Sequence, residues 1–271
     1  MNYELTFLGT GSAFPIESYN ACFILEEKTK DGTLLLADAG GGNGILKRLK
    51  ICGYEPADIK NLFISHSHTD HILGAVWIIR SVINSFKEGN CDQRLNIYSN
   101  AETIAALSEI CRLTLLPSHF ELMKKIVNFH NVEVANIQKI GDTNFTFFDT
   151  CTRDAKQTGF KTILNDGKSF VFLGDEALTE QNAFNCRNAD IVVCGAFCTD
   201  ADANIFKPYE KHHHTVLEVA AIAERVGVKT LVIVHCEDTD LNKRQQKYAA
   251  EARKVFSGTV IVPEDGMRLL L

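Results

Sequence analysis

Short apolar or alternating runs recur along the whole chain and set the first expectations. "LTFLG", "CFIL", "TLLLAD", "LFISH", "LNIYS", "FTFFD", "GFKTIL", "SFVFLGD", "DIVVCG", "TLVIVH" and "TVIVP" have strand length and are bounded by Gly, Asp, Asn or Ser. Apolar residues return at three- and four-residue spacing over residues 42–51, 71–87, 101–115, 215–226 and 241–255, which predicts helices there. Strands and helices do not alternate regularly: several strands are consecutive near the N-terminus and again between about 132 and 175. That order predicts a mixed α/β (α+β) sandwich, with sheets of largely antiparallel neighbours and helices on their outer faces. Without an internal repeat, a low-complexity tract or a Pro/Ser-rich linker, the expectation is a single domain over residues 1–271.

Composition narrows the function classes. A hydrophobic content of 45% is ordinary for a soluble globular chain. A net charge of -6, with no Lys/Arg-rich run, argues against a surface that grips long nucleic acid, because that binding relies on clustered cations. "MNYELTFLG" carries neither a positive n-region nor a long apolar stretch, so a cytoplasmic location is expected. The nine cysteines lack CxxC spacing and fit neither a disulfide framework nor a zinc knuckle. Cys22, Cys52 and Cys111, among apolar neighbours, read as reduced and buried.

The chemistry concentrates in "FISHSHTDHILG", where His66, His68, Asp70 and His71 fall within six residues after an apolar run. In an extended segment side chains repeat with period two, so His66 and His68 face the same way and reach one ion. Asp70 and His71, at the turn into the next helix, aim at the same space and can hold a second. Imidazole and carboxylate together suit zinc, manganese or iron, and open positions polarise water. A lone histidine is usually a satisfied core or surface residue, but this density of ligands has few other physical uses.

"HSHTDH" resembles the HxHxDH signature of the metallo-β-lactamase fold, a four-layered αββα sandwich. Further stretches follow in the family's order: "LADAGGG" is similar to its Asp-Gly turn, "FLGDEAL" to its Gly-Asp strand end and "LVIVHCED" to its last motif. "FLGTGSAFP" and "HHHTVLEVAAIAERVGVKTLVIVH" resemble ribonuclease Z and related phosphodiesterases, so the likeness spans nearly the whole chain. The resemblance implies a hydrolase of a small phosphodiester or nucleotide, using a water activated at two divalent metal ions, Zn2+ first and Mn2+ or Fe as alternatives. It puts His66 and His68 on the first ion, Asp70, His71 and His235 on the second, and Asp175 between them. Asp70 would also take the proton of the attacking water, and His213 would stabilise or protonate the leaving oxygen. The other reading of "HHHT" is a solvated helix start capped by Thr215 or His214. Asp38 is expected to accept a hydrogen bond from a ligand histidine, and Gly40, Gly41 and Gly42 to ease a turn. Thioester and lactone hydrolases share the fold, as would a metal-binding or ligand-sensing protein without catalysis. Relatives often form homodimers, although no stretch here declares an interface.

Three departures from the pattern stand out. No histidine lies between His130 and His212, where the family has another ligand. Counting back from "QTGFKTIL" leads to "FFDTCTRD", where Cys151 is either a thiolate ligand or a small strand-end residue, with Asp154 the weaker substitute. Ribonuclease Z carries a His-Glu pair where this chain has Cys194 and Gly195, so the carboxylate that would orient His213 is missing. The short link from "GFKTILNDGK" to "SFVFLGDE" leaves no room for a tRNA-holding arm, which with the acidic charge disfavours precursor tRNA. His119, expected in a loop after Pro117, and His130 read as surface or supporting residues. Lys207, Tyr209 and Lys211 read as a solvated loop or a phosphate pocket.

Overall fold

The computed structural model describes residues 3–29, 32–90, 94–132, 134, 136–152 and 155–271. In chain order β1 (Tyr3–Gly9), β2 (Cys22–Glu27), β3 (Leu34–Ala37), β4 (Asn61–Phe63), β5 (Leu95–Ser99) and β6 (Val127–Asn131) build a first sheet. A second is built from β7 (Ile137–Ile140), β8 (Thr143–Asp149), β9 (Thr158–Ile163), β10 (Ser169–Phe172), β11 (Ile191–Gly195), β12 (Thr230–Val234) and β13 (Thr259–Ile261), and β14 (Arg268–Leu270) returns to the first. The orders are β14-β1-β2-β3-β4-β5-β6 and β13-β12-β11-β10-β9-β8-β7.

The largely antiparallel pairing expected from the sequence needs correction. From β14 to β3 the neighbours are antiparallel, and from β3 to β6 they are parallel. The second sheet repeats this, antiparallel from β7 to β10 and parallel from β10 to β13. The reason is the helices: parallel neighbours need crossover connections. α1 (Gly44–Ile51), α2 (Thr69–Lys87), α3 (Ala101–Thr114) and α4 (Pro117–Ile126) provide them in the first sheet. After the single-turn α5 (Ala203–Phe206), α6 (Val216–Val226) and α7 (Leu241–Ala252) do so in the second. The link between β9 and β10 is a turn at residues 164–168 closed by Leu164 and Lys168.

α4 occupies the stretch expected to be a loop. Pro117 sits at its first turn, where a missing N–H costs nothing and a fixed φ favours the helix. His119 is thereby buried, 3.4 Å from Lys87 Nζ. His130 lies in β6, where it stacks on Tyr98 and bonds Asn96. Both are far from the role of a ligand.

Side chains of a strand alternate between two faces, and the cores follow. Between the sheets lie Phe7, Phe23, Phe63, Phe145, Phe147, Phe160, Phe170 and Phe172, with Phe63 and Phe160 edge-on at 5.2 Å. Outside the first sheet, Ile72, Ile78, Ile79, Val82 and Ile83 of α2 pack on Ile24, Leu36, Leu62 and Ile97. Outside the second, Val216, Val219, Ala220 and Ala223 of α6 pack with Tyr248 and Ala252 of α7. The layers are therefore helix, sheet, sheet, helix. Every described cysteine is free, and all but Cys151 are buried. No described helix is long and apolar enough to cross a membrane.

Candidate metal centre

The site grows from strand ends. Asp38 follows β3 with φ 57°, a left-handed conformation that Asp tolerates better than most residues. Past β4 the chain stays extended to His68, the N-cap of α2, which places Asp70 and His71 in that helix's first turn. Asp38 is fully buried and accepts the Ser65 N–H at 2.7 Å, the Ser65 hydroxyl at 2.8 Å and His71 Nδ1–H at 2.9 Å, as the sequence predicts for Asp38. With its hydrogen given to Asp38, Ser65 Oγ can accept from His66 Nδ1, 2.9 Å away. One buried carboxylate therefore orients two imidazoles, directly and through a hydroxyl. Each ring turns its Nε2 the other way, buried and, among the described residues, without a hydrogen bond of good geometry.

Asp175, after β10, and His235, after β12, close the site from the second sheet. Asp70 Oδ2 is 3.1 Å from His71 Nε2 and 3.3 Å from His235 Nε2. Asp175 Oδ2 is 3.9, 3.8 and 3.7 Å from Nε2 of His66, His71 and His235. Among the described residues three sets hold their donor atoms within 4.8 Å of one another: His66, His71 and Asp175; Asp70, His71 and His235; Asp175, His213 and His235. Orphaned buried nitrogens facing carboxylates are what a divalent cation would satisfy, and the donor types fit one.

Electrostatics agree with that fit. Burial would raise the carboxyls of Asp70 and Asp175, but Asp70 is held well below the usual range by His71 and His235, and Asp175 by His66, His235 and His71. Burial would likewise lower His71, yet Asp38 and Asp70 raise it well above the ordinary value. Burial pushes His66 down to about 4, against the pull of Asp175. His213 is also lowered to about 4, by burial and then by His235.

His213 reaches the cluster through the loop before α6. Its N–H donates to Pro208 O, and its ring stacks on Phe197 at 5.3 Å and meets His235 at 4.9 Å. Thr215 is the N-cap of α6, sharing a capping box with Glu218, so capping and a cluster histidine coexist in "HHHT". Among the described residues no carboxylate is hydrogen-bonded to the His213 ring. Gly195 supplies the physical reason: a Cβ there would come within 1.9 Å of the Asp175 carbonyl oxygen, so a larger side chain would displace the strand end carrying Asp175.

These residues surround a cavity of about 690 Å³ that His66, His68, Asp70, Cys151, Asp175, His213 and His235 all line. His68 and Cys151 stay outside the three donor sets. Cys151, exposed and at φ 65°, donates its thiol toward the carbonyls of Asp149 and Gln181, and burial raises its pKa. Asp154 lies outside the described residues. Lys211 and Tyr209 also line the cavity, Lys211 Nζ sitting 4.5 Å over the Phe197 ring, while Lys207 pairs with Glu210. The sequence pattern does not by itself point to Ser65 or Phe197: the one signal for Ser65 is a hydroxyl next to a candidate ligand histidine, and nothing local marks Phe197.

Ribonuclease Z from Archaeoglobus fulgidus is 26% identical, covering 99% of this chain and 98% of that one. Among solved structures, the metallo-β-lactamase fold protein YhfI from Bacillus subtilis superposes with a TM-score of 0.77 at 20% identity, covering 99% of each chain. A diphosphatase of the PhnP family gives a TM-score of 0.71 at 18% identity, covering 99% of this chain and 97% of its own. The αββα layers are thus those of the metallo-β-lactamase fold. Residues 3–255 match the family described as anti-Pycsar protein Apyc1, and the chain, a metal-dependent hydrolase of the metallo-β-lactamase fold, belongs to that family.

Proposed function

We propose that the protein is a phosphodiesterase that hydrolyses a small phosphodiester or nucleotide with two divalent ions, Zn2+ in preference to Mn2+ or Fe, as a single domain in the cytoplasm. The observation that carries this reading is the convergence of His66, His71 and His235 with Asp70 and Asp175, all of which except His71 line one cavity. His66, His68 and Asp175 would hold the first ion, and Asp70, His71 and His235, with Asp175 shared, the second. Cys151 would complete the first set by exchanging its carbonyl contacts for the ion. When bound, such ions supply Lewis-acid stabilisation of the phosphoryl oxygens and lower the pKa of water.

The chain's own residues do the rest. Asp38 and Ser65 keep His66 and His71 in the tautomer that leaves Nε2 free. Asp70 would take the proton of the attacking water. His213, lowered to about 4, is neutral at pH 7 and so serves the leaving oxygen as an N–H donor held in place by Phe197. Lys211 sets a cation on the wall against phosphate charge. Relatives named ribonuclease Z and a structural neighbour named diphosphatase support phosphorus chemistry. The tight turn at residues 164–168 and the net charge of -6 favour a small substrate over tRNA.

The test is to measure metal content of protein purified without added metal or chelator, with hydrolysis of bis(p-nitrophenyl) phosphate under zinc and manganese beside thioester and lactone substrates. The expected result is about two ions per chain and metal-dependent turnover of the phosphodiester alone. Preference for a thioester or lactone, or no turnover with either metal, would overturn the reading.

A further inference from the structure

Phe14 stands at the mouth of the cavity with 94% of its surface exposed, and Ile16 beside it is 89% exposed. Large apolar side chains offered to water on a flexible loop need no explanation, but this loop is pinned along its length. Asp238 Oδ2 accepts the N–H groups of Ile16 at 2.6 Å, Glu17 at 2.8 Å and, more weakly, Ser18 at 3.4 Å. Asp265 Oδ2 accepts the Tyr19 N–H at 2.7 Å. Asn20 donates to Ser12 O at 2.8 Å and accepts from Gly41 N at 3.0 Å, tying the loop to the turn that follows Asp38. Ser12 N donates to Cys236 O, next to His235. The backbone on both sides of Phe14 is thus fixed relative to the metal centre.

A ring with two side-chain torsions on such a backbone loses little entropy when something stacks on it. Aromatic side chains are also the sequence-tolerant platform on which bases stack. We infer that Phe14 is a specificity-determining residue whose ring stacks on an aromatic group, a nucleobase, of a substrate whose phosphodiester lies over the metal centre. The inference rests on the phosphodiesterase reading and adds to it the side of the cavity on which the substrate's base is held.

The experiment compares thymidine 5′-(p-nitrophenyl phosphate) with methyl p-nitrophenyl phosphate on the metal-loaded full chain. Both release p-nitrophenol, so the ratio of their kcat/KM values isolates the nucleoside. In Phe14→Ala that ratio should fall roughly tenfold, chiefly through KM of the nucleoside substrate, and Phe14→Trp should restore it. Ile16→Ala, on the same pinned loop, should leave the ratio unchanged. An unchanged ratio in Phe14→Ala, or an equal fall in Ile16→Ala, would overturn the role of the ring. Wild-type protein that hydrolyses neither ester would instead overturn the phosphodiesterase reading, and this inference with it.

Discussion

The two sheets are built to one plan yet supply the metal centre differently. Each is antiparallel along half its neighbours and parallel along the other half, and each brings its donors to the carboxyl ends of parallel strands. The first sheet brings His66, Asp70 and His71 into the donor sets from one strand end and the first turn of one helix, two of them held by the buried Asp38. The second offers Asp175, His213 and His235 from three separate connections, each oriented by something different: the space left by Gly195, the face of Phe197, and a left-handed backbone at φ 56°. The first half takes its orientation from β3, β4 and the start of α2. The second exists only once β10, β11 and β12 are in register against it.

If the two halves meet through Asp175, breaking that residue should cost most. Asp175→Asn should lower metal affinity by more than the roughly 100-fold upper end seen for partners behind the ligands, read by metal analysis after dialysis, with the far-ultraviolet circular dichroism unchanged because the three hydrophobic cores are untouched. Retained metal would mean that the halves are bridged elsewhere. Asp38→Asn sharpens the comparison from the other side. It removes one buried acceptor but loosens two imidazoles, so metal affinity should fall roughly 10–100-fold, and Ser65→Ala, which reaches only His66, should cost less. Equal losses in the two variants would deny Asp38 its double role.

A third prediction separates the halves by their protons. Asp38 and Asp70 outweigh burial at His71 and raise its pKa well above normal, which favours the protonated ring when no metal is bound. His66 and His213, lowered to about 4, are already neutral at pH 7. A ligand nitrogen must be free of its proton, so the number of protons released on metal binding should include the one on His71, in the first half. Calorimetric titration with Zn2+ in buffers of different ionisation enthalpy measures this number. Release should shrink in Asp38→Asn, where the larger of the two supports for the charged ring is gone.

The same contrast explains what the sequence reveals. "HSHTDH" is legible because its donors are local, and a periodic pattern locates both the strand before it and the helix after it. Asp175, His213 and His235 carry no local pattern and are found only through resemblance to a family, since their proximity is a product of strand register. Parallel and antiparallel neighbours are indistinguishable in runs as short as "TLLLAD" or "LFISH", because either pairing buries the same residues. α4 carries no decisive signal, because Pro117 and Ser118 serve equally well as a loop or a helix start. Gly195, which in sequence looks like a lost carboxylate, is in the fold the residue that lets Asp175 approach.

The smallest expected effect lies at Thr215. Its hydroxyl accepts from the Glu218 N–H while Glu218 Oε2 accepts the Thr215 N–H at 3.0 Å, so the pair closes the start of α6, the helix that packs Val216, Val219, Ala220 and Ala223 onto the second sheet. Thr215→Ala should cost about 1 kcal/mol of stability in urea unfolding, the usual worth of such a cap. Metal content should stay at the wild-type level, because His213 is fixed by Phe197 and by its bond to Pro208 O rather than by the cap. If metal were lost as in Asp38→Asn, the second half too would orient its donors through a single buried polar partner. The contrast between one shared carboxylate and three independent supports would then fall.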